Sequence, residues 1–174
     1  MTAPCFVDTD ILVCARDPRD PLKQRRAAEW IDWLWHQRAG RTSMQVLAEF
    51  VAVVTSQLEP PVPADEAWDE ARRYFAWGPQ PVDEVLLERA RDVQRSYALS
   101  WWDSLAVAAA QIQDCSILAT EGMRDGAVFG NVTVRNPFTS VLEEPAREYG
   151  TPKLVLPDYG KFRQAHRRSA TGRG

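Results

Sequence analysis

The stretch LSWWDSLAVAAAQIQDCSILATEGM, residues 99–123, constrains the fold more than any other part of the chain. It opens on a helix-entry signal: Ser100 is followed three residues later by Asp103, the spacing of a capping box. Leu105, Ala106, Ala109, Ala110 and Ile112 then make an apolar helical run whose small residues permit close packing, and Gln113 and Asp114 end it. Residues 115–120 predict a short buried strand that delivers Glu121 at its C-terminal end. A helix feeding a strand, with an acid at the start of one and at the end of the other, is half of an α/β active site. In open α/β sheets ligands gather outside the carboxyl ends of the strands.

The rest of the chain repeats that grammar. Residues 5–7 predict a strand ending at Asp8, with Thr9 or Asp10 capping a brief helix over 11–15. Residues 22–38 read as a helix with Ala27, Trp30, Ile31 and Leu34 inward; Trp33 and Trp35 widen its apolar stripe and suggest an interface. Gly40 is expected to end it. A very short strand over 41–42 precedes Ser43, the N-cap of a helix over 44–57 that buries Val46, Leu47, Phe50, Val51 and Val54 and carries Glu49 at its margin. After a proline turn, residues 65–76 predict a helix with Ala67, Trp68, Ala71 and Phe75 inward. Residues 78–82 are an edge-strand candidate because prolines interrupt them. Residues 83–96 predict a helix with Val85, Leu86, Ala90 and Val93 inward, and residues 132–135 a last strand after a loop with Gly126 and Gly130. Strands alternating with helices predict an α/β fold with a mainly parallel sheet and helices on both faces.

One domain is expected over residues 1–138, which suits a chain of 174 residues. Beyond Phe138 the periodicity dissolves, apart from a short helix candidate over 142–149. Lys161, Arg163, Arg167, Arg168 and Arg173 make the end basic, so residues 139–174 read as an extension, partly disordered at its tip. The net charge of −3 gives no general support for nucleic-acid binding. Arg16, Arg19, Lys23, Arg25 and Arg26 nevertheless lie where they could grip phosphates, although a solvated helix start is the commoner meaning of such a run. Cys5, Cys14 and Cys115 lack metal-ligand spacing and read as small buried hydrophobes, which fits a reducing cytoplasm. The apolar residues 5–13 are interrupted by Asp8 and Asp10 without a basic lead, so no signal peptide is expected. No apolar run is long enough for a membrane span.

The chemistry rests on acids. Asp8 and Glu121 follow strands, Asp103 opens a helix, and Glu49 lies on one. Singly, such acids are caps or solvated charges, and Asp103 is also the acidic half of a capping box. Asp8 has no evident folding reason to follow a buried strand. Together, carboxylates brought to one sheet end repel unless a cation lies between them, and an all-oxygen set selects Mg²⁺ or Mn²⁺. Such a metal activates water for phosphoryl chemistry.

FVDTDILV, Glu49 within SMQVLAEF, Trp102-Asp103-Ser104-Leu105-Ala106, and ILATEGM with a closing VRNPF resemble a PIN-domain ribonuclease, most closely the VapC-type toxins of prokaryotic toxin–antitoxin pairs. The resemblance spans about residues 6–138. It implies an α/β/α sandwich, Mg²⁺- or Mn²⁺-dependent RNA hydrolysis, frequent homodimers and a cognate antitoxin. Asp8, Glu49 and Asp103 match the family's acidic positions. At the fourth, Thr120-Glu121-Gly122 carries a glycine where the family carries an aspartate, which leaves Glu121 or Asp125 to fill it. Thr9 and Thr120 are candidates for binding phosphate, though hydroxyls at strand ends more often cap. Two other readings stay open. Asp8-Thr9-Asp10 also resembles the first motif of haloacid-dehalogenase-type phosphatases, with Asp8 as nucleophile and Asp10 as general acid, although the lysines are poorly placed for it. A non-catalytic module of PIN fold that binds RNA or protein is the other.

Overall fold

The computed structural model describes residues 3–139. The expected extension over residues 139–174, with its short helix and basic tip, lies outside the described residues apart from Thr139. The sheet has five strands: β1 (Cys5–Val7), β2 (Gly40–Arg41), β3 (Ile117–Ala119), β4 (Val128–Phe129) and β5 (Val132–Arg135). Their order is β2-β1-β3-β5-β4, parallel except for β4 on β5. Six α-helices are described: α1 (Thr9–Cys14), α2 (Pro21–Gln37), α3 (Met44–Ser56), α4 (Ala64–Arg73), α5 (Glu84–Tyr97) and α6 (Trp101–Ile112), with a 3₁₀ turn over Tyr74–Trp77. Helix α1 packs on α2 and α3, and α3 on α4. Helix α6 packs on α5 and lies along β1, β3 and β5. This is an α/β/α sandwich.

Helix α6 is the centre of the molecule. Every residue from Asp103 to Ala110 is buried, as in a helix covered on all sides. Its alanines let it approach both α5 and the sheet. Ser100 caps it as the sequence predicts, its Oγ accepting from Asp103 N–H at 3.1 Å. The strands are short and apolar because a parallel sheet is covered on both faces: Phe6, Val7, Leu118, Ala119, Val132 and Val134 are buried.

Several expectations change. Asp8, not Thr9 or Asp10, caps α1, its Oδ1 accepting from Thr9 N–H at 2.8 Å, so this acid has a folding role that the sequence did not suggest. Helix α2 ends on Arg38 in the left-handed conformation, at φ 53°, and not on a glycine. Gly40 instead opens β2, where a Cβ would stand 2.4 Å from the Trp77 indole. Residues 78–82 form only an isolated bridge, Gln80 beside Ser43, because Pro79 and Pro81 cannot donate to a ladder. The loop after Glu121 contains β4, an antiparallel hairpin partner of β5.

In the α4 segment Trp68 and Phe75 are exposed, and Tyr74 and Trp77 are buried in their place. Within α4 the inward positions are Ala67 and Ala71, and after Arg73 the chain tightens to 3₁₀ geometry, which turns Phe75 out and Tyr74 and Trp77 in. Trp35 packs within this cluster, 5.0 Å from the Trp77 ring and 5.8 Å from Tyr74. Trp33 also packs against the core, so the aromatic excess of α2 is used internally. Val85 faces out, being 64% exposed.

Candidate active site

Parallel pairing sets Val7 opposite Ala119, so Asp8 and Thr120 leave the sheet at the same edge. The link is direct: Asp8 N–H donates to the Ala119 carbonyl at 3.0 Å. Helix α6 runs back along the sheet before β3, so its first turn, with Asp103, comes to this edge too. Its 12 residues span about 18 Å, more than β3 needs. Asp8 and Asp103 are both buried, with relative exposures of 4% and 8%. Asp103 Oδ2 accepts from Ser100 Oγ at 2.7 Å. Glu49 reaches the same neighbourhood from α3: Thr9 Oγ1 donates to Glu49 Oε2 at 3.1 Å, and Gln45 Nε2 donates to Glu49 Oε1. The threonine after Asp8 thus ties Glu49 to the β1 end.

Asp10 does more than the local capping expected of it. Its Oδ2 accepts from Thr120 Oγ1 at 2.8 Å, Glu121 N–H at 3.0 Å and Gly122 N–H at 3.1 Å. One carboxylate oxygen therefore shapes the turn after β3. Thr120 is fully buried, and its hydroxyl oxygen also accepts from Gly122 N–H. It organises the turn.

Glu121 is engaged otherwise. Its Oε2 accepts from the Lys23 ammonium and its Oε1 from the Cys14 thiol, at 3.8 Å. Burial, with Glu121 beside it, holds the Cys14 thiol well above the ordinary thiol range, so it remains a protonated donor. Lys23 is 4% exposed and lies 4.7 Å over the Phe138 ring. Sequence reading left Lys23 among the phosphate grippers. A long side chain at the start of a helix gives no sign of which strand end it will meet. Asp125 Oδ1 accepts from Asn136 N–H at 2.8 Å and closes the loop before β4.

Three arginines of the basic run have partners on the protein surface. Arg16 pairs with Glu66 and Glu70 of α4, Arg19 with Asp17, and Arg26 donates to the Pro137 carbonyl.

The donor chemistry of Asp8, Glu49 and Asp103, all carboxylate oxygen, suits a hard divalent cation. Among the described residues no three His, Cys, Asp or Glu side chains stand together as a metal-holding group. Each of the three acids is held by hydrogen bonds: Asp8 and Glu49 by Thr9, Glu49 also by Gln45, and Asp103 by Ser100. Among the described residues no helix is long and apolar enough to cross a membrane.

Comparison with known proteins agrees with this architecture. A toxin–antitoxin complex from Klebsiella pneumoniae contains a chain that superposes with a TM-score of 0.51 at 19% identity, over 76% of this chain and 97% of that one. A structure of FitAB bound to a DNA fragment, IR36, gives 0.56 at 21% identity, over 80% of this chain and 99% of that one. No curated protein matches the chain. The sequence model of the PIN domain matches residues 5–124, from the start of β1 to just beyond Glu121, and the chain belongs to the PIN domain family.

Proposed function

We propose that this PIN domain is a Mg²⁺- or Mn²⁺-dependent endoribonuclease of VapC type, the toxin of a type II toxin–antitoxin pair. One observation carries the reading: Asp8 at the end of β1 and Asp103 in the first turn of α6 are buried carboxylates, and Glu49 is tied to the β1 end through Thr9. Burying acids at strand ends and helix starts costs stability, which argues for a use beyond folding. Asp8, Asp103 and Glu49 would hold the cation, which when bound supplies an activated water and neutralises charge on the phosphodiester. Thr9 orients Glu49, and Ser100 fixes the Asp103 carboxylate. Asp10 and Thr120 hold the turn that borders the site. RNA as substrate, the cytoplasm as location and a homodimer as the working form belong to the same proposal. A cognate antitoxin is supported by the likeness to a chain of the Klebsiella pneumoniae toxin–antitoxin complex.

The test is cleavage of a labelled RNA by the purified chain with Mn²⁺, with Mg²⁺ and with chelator, for the wild type, Asp8→Asn and Glu49→Gln. Cleavage should need metal and fall by orders of magnitude in both variants. Cleavage that survives chelation, or folded variants that cut normally, would reject the assignment. In cells, growth arrest relieved by the product of a neighbouring small reading frame tests the toxin role.

A further inference from the structure

The fourth acidic position carries its own cation. Glu121 stands two residues beyond β3 and is fastened by its backbone to Asp10. Both of its carboxylate oxygens are taken, one by the Lys23 ammonium and one by the Cys14 thiol. Lys23 is held in place in turn. Its backbone N–H is capped by Asp20 Oδ1 at 3.0 Å, which fixes the start of α2, and its ammonium lies over the Phe138 ring. Lys23 is buried and Glu121 largely so, at 4% and 17% side-chain exposure. A buried ammonium persists only where a carboxylate compensates it.

We infer that Lys23 is the built-in counter-cation of this position. Glu121 anchors Lys23 and does not ligate metal, and the cation-holding acids are confined to Asp8, Glu49 and Asp103. Lys23 is a positioning residue: its fixed charge supplies at Glu121 what a second metal ion would supply. The inference rests on the metal-dependent reading above. It differs from a merely structural ion pair in one respect: removing the ammonium should create metal affinity.

The experiment is Mn²⁺ titration of the full chain, followed by calorimetry and by the paramagnetic signal of free Mn²⁺. It compares wild type, Glu121→Gln, Asp103→Asn, Lys23→Met and the double variant Lys23→Met with Glu121→Leu. Thermal melting verifies that each is folded. Wild type should bind one Mn²⁺ per chain. Glu121→Gln should bind it within about threefold of wild type, whereas Asp103→Asn should lose ~10-fold or more. Lys23→Met frees Glu121 and should bind a second Mn²⁺, or the first ~10-fold more tightly, and Mn²⁺ should raise its melting temperature more than that of wild type. The double variant replaces the pair with apolar side chains, so it should fold and still bind one ion. It decides the matter if Lys23→Met does not fold. Two ions in wild type, a loss in Glu121→Gln as large as in Asp103→Asn, a folded Lys23→Met with unchanged binding, or a folded double variant that binds none would each overturn the inference alone. Absence of Mn²⁺ binding in wild type would overturn it together with the metal-dependent reading.

Discussion

Replacing Asp10 separates the scaffold of the site from its chemistry. In Asp10→Ala, Thr120 Oγ1 and Glu121 N–H lose this acceptor, and Gly122 N–H loses one of its two, keeping Thr120 Oγ1. They do not lose equally. Gly122 is exposed, so water replaces the carboxylate there at little cost. Thr120 is fully buried and Glu121 largely so, and a buried donor without a partner costs about 1–3 kcal/mol. The two together give about 3 kcal/mol, allowing for non-additivity. That corresponds to a fall in melting temperature of roughly 10 °C for a domain of this size. Asp10→Asn keeps one acceptor oxygen and the shape while losing the charge, and should cost about 1–1.5 kcal/mol. The assay is urea unfolding followed by tryptophan fluorescence and by far-UV circular dichroism, with hydrogen exchange at Glu121 as a local readout. Exchange there should quicken far more in the alanine variant than in the asparagine variant. Equal costs for the two, or a loss below about 1 kcal/mol in Asp10→Ala, would refute the view that this carboxylate holds the turn.

Asp103→Asn keeps an oxygen to accept from Ser100, so the metal-free protein should change by no more than about 1 kcal/mol, the charge–dipole contribution of the first helical turn; RNA cleavage should nevertheless collapse, and a variant that melts lower yet cleaves normally would leave Asp103 as a cap alone. Gly40→Ala drives a methyl into the Trp77 indole, 2.4–2.6 Å from three ring atoms, and should cost about 1–3 kcal/mol in denaturant unfolding with a shifted tryptophan emission; an unperturbed emission and full stability would mean that the Tyr74–Trp77 turn yields freely. Burial alone would raise the Asp17 carboxyl, but the Arg19 guanidinium and its hydrogen bonds outweigh burial and hold it below its ordinary 3.8. A lowered folded value stabilises the native state above the unfolded value and is lost as pH falls through the folded one. Arg19→Met should therefore lower stability at neutral pH and lose that deficit progressively as pH falls below 3.8 and through the folded value, which melts across a descending pH series would show or disprove.

What could be read in advance is governed by distance along the chain. Ser43 and Ser100 cap their helices through hydrogen bonds to residues three positions on, as their spacing predicts. Such contacts lie within one turn and leave their mark in local spacing. The apolar stripe of α3 and the alternation of strands with helices were equally legible, and with them the fold class. Errors arose where a small rotation or a non-local contact decides. The 3₁₀ turn after Arg73 exchanges Phe75 for Tyr74 and Trp77, and Gly40 answers to an indole 37 positions away, not to the helix before it.

The site divides along the same line. Asp8, Glu49 and Asp103 stand out in the sequence because each sits where an α/β fold opens its sheet edge, at a strand end, on a helix margin or in a first helical turn. The state of Glu121 does not: it depends on Lys23, 98 residues away, and on Cys14, 107 residues away. Asp10 looks like a helix cap until β1 and β3 pair and bring it to the turn 110 residues on. Local propensity and periodicity choose the elements, because neighbouring residues share a turn or a strand whatever the rest of the chain does. Which carboxylate meets an ammonium, a hydroxyl or a backbone N–H is chosen by strand order and helix packing, which exist only once the chain has closed on itself.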